Sequence, residues 1–268
     1  MRKIFKFISI FVAVILVGFI LFFANAFVGN PISKAIVTYN STKYIEENYD
    51  DLDLEKEIIY DFKSGAYCVK LKSETIEDLH FTLYYRMNGK LGKDLYENNI
   101  TDGWNVLYRL NEDYRNETAL IFDQLASTPL FQNTDSFYTS AYLMSTVEVE
   151  DRLVGFEDVS GGIDGTTLEL DKDYDISHMG AIGGLIDIDL RFTDGDESFE
   201  KGAVAIKEIK NVFDNKNLGF YYLSFGMIDA EGNLAYRVDF LPYSQIDDDN
   251  LADILKTMDE TNPIDYGK

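Results

Sequence analysis

Cysteine, histidine and tryptophan are nearly missing from this chain: its 268 residues hold one Cys, two His and one Trp. With Cys68 alone, no disulfide can form within the chain, which excludes the disulfide-dense scaffold of small eukaryotic secreted domains. The two histidines, His80 and His178, stand far apart, and no HExxH zinc motif occurs. No GxxxxGK[ST] phosphate loop and no GxSxG nucleophile elbow occurs either. Positive charge is also scarce, with 24 Lys and Arg against 47 Asp and Glu, a net charge of −23. A field of that sign repels nucleic-acid phosphates, so no DNA or RNA partner is expected.

What the chain does have is one long apolar run. Residues 7–24 read FISIFVAVILVGFILFFA, without charge or proline, and Arg2, Lys3 and Lys6 precede them. At about 1.5 Å of rise per residue, such a run spans most of a hydrocarbon core roughly 30 Å thick. The leading basic residues hold the tip in the cytoplasm and send the remainder outward. Ala24-Asn25-Ala26 offers a small-x-small cleavage site, so a signal peptide cut after Ala26 is the alternative to an anchor. The length of the run, and its continuation through Phe27 and Val28, favour retention. Past the three basic residues of the tip, the net charge deepens to −26. An exported chain without disulfides suits a bacterial cell surface.

The remainder, 46 % hydrophobic and 14 % aromatic over the whole chain, has the composition of folded domains. Asn30-Pro31 starts a helix to about Tyr49, with Ile32, Ile36, Tyr39 and Tyr44 as its apolar stripe. Strands are expected over residues 54–62, 66–72, 79–85 and 91–96, the last two joined by an Asn88-Gly89 hairpin. A long helix is expected from about Thr101 to Ala126. Residues 127–137 read as a linker, and residues 138–150 as a strand, followed by a glycine-rich loop over 155–165. Ile186, Ile188, Leu190 and Phe192 then alternate with polar residues, Ser198 caps a helix to about Asp214, and a hairpin spans residues 220–241. Asp247 is expected to cap a last helix. The fold class is therefore α+β: an N-terminal transmembrane helix (1–29), then modules at 30–126 and 138–268, each an antiparallel sheet with helices packed on it.

Candidates for chemistry are few. Cys68 and His80 fall on neighbouring strands, but a thiol buried in a strand is usually inert. His80 alternates with core positions and reads as a solvent-face residue, and His178 reads as a loop residue. Asp171-x-Asp173-x-Asp175 has the opening spacing of a calcium loop, but Ile176 and Ile182 stand where glycine and glutamate are needed. Asp194-x-Asp196-x-Ser198 fails in the same way at Phe199 and Ala205, and Asp247-Asp248-Asp249 reads as a helix start. The sequons at Asn40, Asn99 and Asn116 are chance in a bacterium. No catalytic, cofactor-binding or metal-binding residue is assigned, and no cofactor.

Several stretches carry a resemblance. Residues 25–33 (NAFVGNPIS), the segment Gly103-Trp104-Asn105, residues 170–176 (LDKDYDI), and Ser198-Phe199-Glu200-Lys201 with Gly219-Phe220-Tyr221 resemble the uncharacterised YfjL-like proteins of Firmicutes. The stretch 49–60 is similar as well. The resemblance implies a single-pass, membrane-anchored bacterial protein and carries no activity with it. The expectation is an extracytoplasmic binding or regulatory protein, held in the bilayer through residues 7–28 and meeting a cell-surface protein partner. The surplus of 18 Tyr and 19 Phe suits recognition. A carboxylate-dependent hydrolase of wall or extracellular material, and a purely structural surface protein, are the alternatives.

Overall fold

The junction Gly29-Asn30-Pro31 fixes how the folded part of the chain begins. Asn30 accepts a hydrogen bond from Ile32 N at 2.8 Å and Pro31 occupies the first helical position, so α1 (Pro31–Asn48) starts with its cap filled. Gly29 sits at φ +79, and a Cβ there would lie 2.7 Å from the Tyr60 ring and the Tyr67 hydroxyl. Only glycine combines that backbone with that contact. Tyr67 Oη then donates to Asn30 O at 2.7 Å, tying the helix start to the sheet beneath it.

The computed structural model describes residues 10–20, 23, 29–146 and 160–262. Residues 10–20 are helical with their side chains exposed. The ends of the apolar run, 7–9 and most of 21–24, lie outside the described residues, as does the cleavage site at Ala24-Asn25-Ala26. Among the described residues no helix is long and apolar enough to cross a membrane. The chain divides into two compact units, 1–105 and 106–268.

The first unit is a meander. Strands β1 (Glu55–Asp61), β2 (Ala66–Lys72), β3 (His80–Tyr85) and β4 (Leu91–Asp94) pair antiparallel in sequence order. Asn88-Gly89 makes the expected turn, with Gly89 N donating to Arg86 O. Alternation places Tyr67, Val69, Leu71, Phe81, Leu83 and Tyr85 in the core, together with Val37 of α1 and with Tyr49. The helix face differs from the expected one. The buried stripe is Ser33, Val37 and Ser41, while Ile32, Ile36 and Tyr39 are exposed. The sheet supplies the bulk here, so the helix approaches with small side chains, and Ser41 Oγ is satisfied by Thr38 O at 3.2 Å.

The long helix α2 (Trp104–Ala126) begins later than expected, because residues Glu97–Thr101 form a π-helical turn instead. Asn105 binds back to Asp78 O and His80 O at 2.8 and 2.6 Å, inside the first unit. From Val106 onward, Leu107, Leu110, Tyr114, Ile121 and Leu125 of α2 are core residues of the second unit. The expected linker at 127–137 is instead a 3-10 turn (Phe131–Asn133) with Phe131 buried, running into β5 (Thr134–Leu143). The expected strand 138–150 thus starts earlier and ends sooner, and its tail lies outside the described residues.

The rest of the second unit is α3 (Ile176–Gly183), β6 (Gly184–Phe192), α4 (Phe199–Asn215), β7 (Tyr222–Ile228), β8 (Leu234–Pro242) and α5 (Leu251–Thr261). Ser198 caps α4 through Lys201 N at 3.2 Å, and Ala205, Ile209, Val212 and Phe213 face inward as their spacing predicts. The sheet order is β5-β6-β7-β8, but β6 and β7 run parallel. The expectation of an antiparallel sheet fails there because α4 carries the chain back before β7, as a parallel pair requires. The α5 cap is also different: Asn250 precedes the helix without a side-chain bond, and Asp247 pairs with Lys210 at 3.2 Å.

Burial of tyrosine has a consequence that solution measurements can read. Tyr49 and Tyr85 in the first unit, and Tyr114 and Tyr236 in the second, are buried, and burial first of all raises their hydroxyl pKa values, that of Tyr85 to about 12. For Tyr49 the hydrogen bond to Asp94 Oδ2 at 2.5 Å adds to the rise. A folded-state value above the unfolded one means the unfolded chain sheds these protons first. The stabilisation is complete below about pH 10 and is lost as pH rises toward the folded-state values, by up to about 1.4 kcal/mol per pH unit for each hydroxyl. Equilibrium denaturation at about pH 9 and about pH 11 should show both units weakened at the higher pH, with tyrosinate absorbance appearing on unfolding. Equal stability at both values refutes the burial.

Candidate functional site

The residues singled out from sequence do not converge. Cys68 pairs across the sheet with Tyr84, four residues along β3 from His80, which at about 3.3 Å per residue separates them by about 13 Å. Burial, with Asp61 nearby, pushes the Cys68 thiol up, away from thiolate chemistry. The outer face of the first sheet carries Glu55, Glu57, Lys70, Lys72 and His80 along an open groove of about 620 Å³, and Glu55 pairs with Lys72 at 2.9 Å. His178 lies exposed on α3 and not in a loop.

The acidic turns are spent on backbone. Asp175 caps α3 by accepting from Ser177 N and His178 N, Asp194 accepts from Asp196 N, and Asp196 accepts from Ser198 N. Among the described residues no group of three His, Cys, Asp or Glu side chains could hold a metal ion. Asn40 and Asn99 use their amides internally, on Gly89 O and Asn105 Oδ1.

Two arrangements in the second unit went unrecognised in the sequence. The first is an aromatic groove of about 610 Å³ where α4 leads into β7. Gly219, Phe220 and Tyr221 form this edge, and they are among the residues that carry the family resemblance. Tyr114 Oη donates to Gly219 O at 3.0 Å and Gly219 N donates to Ser177 Oγ at 3.2 Å, so the strand entry is clamped from α2 and α3. Buried Phe220 and Tyr222 make the floor, and half-buried Tyr221 and Tyr243 make the walls. Tyr221 meets Tyr222 edge to face at 4.7 Å, and Phe220 meets Tyr243 at 5.0 Å, the favoured aromatic geometry.

One wall is held by charge. Asp214 accepts from Tyr243 Oη at 2.5 Å and from Lys210 Nζ at 2.7 Å, while Lys210 Nζ stands 4.5 Å from the Tyr243 ring centroid. Burial works to lower the Lys210 pKa, but bonds to Asp214, Tyr243 and Asp247 outweigh it and hold the ammonium above its usual range. Burial and the Asp214 bond raise Tyr243 as well. Both groups move away from neutrality, the wrong direction for proton transfer and the right one for a fixed wall. The groove can stack a ligand on its rings and bind it through Ser160, Ser244 and the rim of Asp214.

The second arrangement is a half-buried ion cluster. Arg237 on β8 donates to Asp187 Oδ1 at 2.9 Å, Asp189 Oδ1 at 2.7 Å and Asp239 Oδ1 at 2.9 Å. Asp187 and Asp189 lie on β6, with β7 in between. The guanidinium crosses because the intervening positions are Ser224 and Gly226; a Cβ at Gly226 would run into Asp189 Oδ1. Burial raises the Asp187 carboxyl, and the attraction of Arg237 offsets this only in part. Alternation at 187–191 signalled a polar strand face, but nothing in the sequence signalled its partner.

Removing the guanidinium leaves three carboxylates facing one another. Arg237→Met should cost about 3–5 kcal/mol near neutral pH and recover part of that as the carboxyls protonate below about pH 5. Gly226→Ala should lose a comparable amount by driving Asp189 off the guanidinium, whereas Asp187→Asn should stay within about 1 kcal/mol. Denaturant unfolding reads all three, and an Arg237→Met chain as stable as the parent shows the cluster to be energetically idle.

Two sequence models of one family match the chain. The one described as YfjL-like, N-terminal domain, covers residues 4–94, and the one described as YfjL-like C-terminal domain covers residues 138–256. No curated protein and no solved structure matches the chain.

Proposed function

The chain belongs to the YfjL-like family, and from that premise we propose that it is a single-pass membrane protein whose extracytoplasmic α+β units bind a ligand at the bacterial cell surface. The observation that carries the binding role is the aromatic groove of the second unit, with Tyr221 and Tyr243 as stacking walls and hydroxyls at its rim. Tyrosine offers a large rigid face and a hydrogen-bonding tip at small entropic cost, which suits recognition better than turnover. The anchoring role rests on the apolar run 7–24 behind Arg2, Lys3 and Lys6. A carboxylate hydrolase finds less support: Asp187, Asp189 and Asp239 are close together, but Arg237 engages all three.

Fractionation and protease digestion test the anchor. Full-length protein should stay in carbonate-washed membranes, and protease added to intact protoplasts should digest everything beyond about Val28. Chains released to the medium and beginning at Phe27 replace the anchor with a signal peptide.

The groove is tested by thermal shift of the full chain against defined wall glycan and peptide fragments. A ligand at about 100 times its Kd stabilises by about 2.7 kcal/mol, and Tyr221→Ser with Tyr243→Ser should abolish that gain. Hydrolysis of any fragment, lost on replacing one Asp or Glu, makes the protein an enzyme instead.

A further inference from the structure

The exposed side of α1 has a composition unlike the rest of the molecule. Ile32 and Tyr39 are each 72 % exposed and Ile36 is 40 % exposed. With Lys43 they follow at i, i+4, i+7 and i+11, one stripe of a helix turned away from the buried Ser33, Val37 and Ser41. Charge is equally one-sided. No acidic residue precedes Glu46, although the chain has 47 of them, while Arg2, Lys3, Lys6, Lys34 and Lys43 all fall in that stretch. Lys43 also reaches Glu47 at 3.5 Å, which marks where the basic and apolar part of the helix gives way to acid.

We infer that this face of α1, from Ile32 to Lys43, lies against the anionic headgroup layer of the membrane in which the chain is anchored; the inference rests on the anchor reading above. Chain length supplies the proximity. Only residues 25–30 separate the apolar run from Pro31, and six residues reach at most about 22 Å when fully extended. Electrostatics supplies the orientation: an anionic bilayer repels the acidic remainder and tolerates the stretch that carries no acid. The side chains supply the contact. Isoleucines enter the interface, tyrosine prefers it because one end is apolar and the other polar, and lysine keeps its ammonium at the headgroups while its stem lies on apolar surface. Three apolar residues are too few to hold a free domain at a bilayer, but the anchor makes the encounter intramolecular, so a weak contact is populated.

The test uses the full chain with Cys68→Ala, reconstituted into vesicles and carrying an environment-sensitive fluorophore at Tyr39→Cys. A second protein carries it at Lys63→Cys, in the exposed β1–β2 turn. In phosphatidylglycerol-containing vesicles the Tyr39 probe should be blue-shifted and quenched by brominated lipid, and the Lys63 probe should remain open to iodide. Adding Ile32→Asp and Lys43→Glu should return the Tyr39 probe to water, with at least a severalfold rise in iodide quenching. A Tyr39 probe as open as the Lys63 probe, in protein that floats with the vesicles and resists carbonate, overturns the inference and leaves the anchor intact. Protein that does not float removes both. Shielding that persists in pure phosphatidylcholine and rises with protein density assigns the face to a second copy of the chain, and also overturns the inference.

Discussion

Arg237 sits two strands away from two of the three carboxylates it holds, and the second unit is built so that it can reach them. β7 offers Ser224 and Gly226 at the crossing, small enough for a guanidinium to lie over the strand and fork onto Asp187 and Asp189 of β6. The third donor goes to Asp239 on its own strand, and the backbone N–H of Arg237 donates to Asp259 of α5 at 3.0 Å. One residue therefore ties β6, β8 and α5 together across a parallel pair. The planar guanidinium explains why arginine stands here: Nε, Nη1 and Nη2 spread outward in one plane and reach one carboxylate each, a span that the compact ammonium of lysine lacks. Burial above all, with the neighbouring charges of Asp189 and Asp239 adding to it, pushes the Asp187 carboxyl up against the pull of Arg237.

The aromatic groove lies in the same unit, around the edge where Gly219, Phe220 and Tyr221 enter β7. Its rigidity has two sources: the Tyr114 and Ser177 hydrogen bonds that clamp Gly219, and the Lys210–Asp214–Tyr243 triangle that fixes the wall. A preformed site loses less order when a ligand arrives, which is where much of the affinity of a modest pocket originates. Tyr243 is held from both sides, by the carboxylate on its hydroxyl and the ammonium over its ring.

Local chemistry made most elements legible. The Asn30-Pro31 start, the Asn88-Gly89 turn, the alternation in β2, β3 and β6, and the Ser198 cap all rest on short-range rules, and the structure has each of them. What failed depended on distant partners. The buried face of α1 was hidden because Ser33 and Ser41 are polar, and only the bulk of Tyr67, Phe81 and Tyr85 opposite makes small residues the right choice there. The direction of the β6–β7 pair is not legible in the sequence, because side chains alternate with the same period in parallel and antiparallel strands. The groove joins residues from four separate segments and the Arg237 cluster from three, and no spacing in the chain announces such a meeting. His178 and the π turn at Glu97–Thr101 fell between strong signals, where propensity says little.

The two sheets also differ in how far along the chain their partners lie, and that sets the order in which they can form. In the first sheet every strand pairs with its immediate successor, from Glu55 with Lys72 to Leu83 with Asp94. In the second, Thr134 must find Phe192, and Leu185 must wait for Tyr222 on the far side of α4. Loop closure of that length is a search that precedes its reward, and folding rates fall as contacts become less local. The sheet that follows the apolar run most closely is thus the quick one. It can be complete while β7 and β8, and with them the guanidinium that joins the second sheet, are still to come.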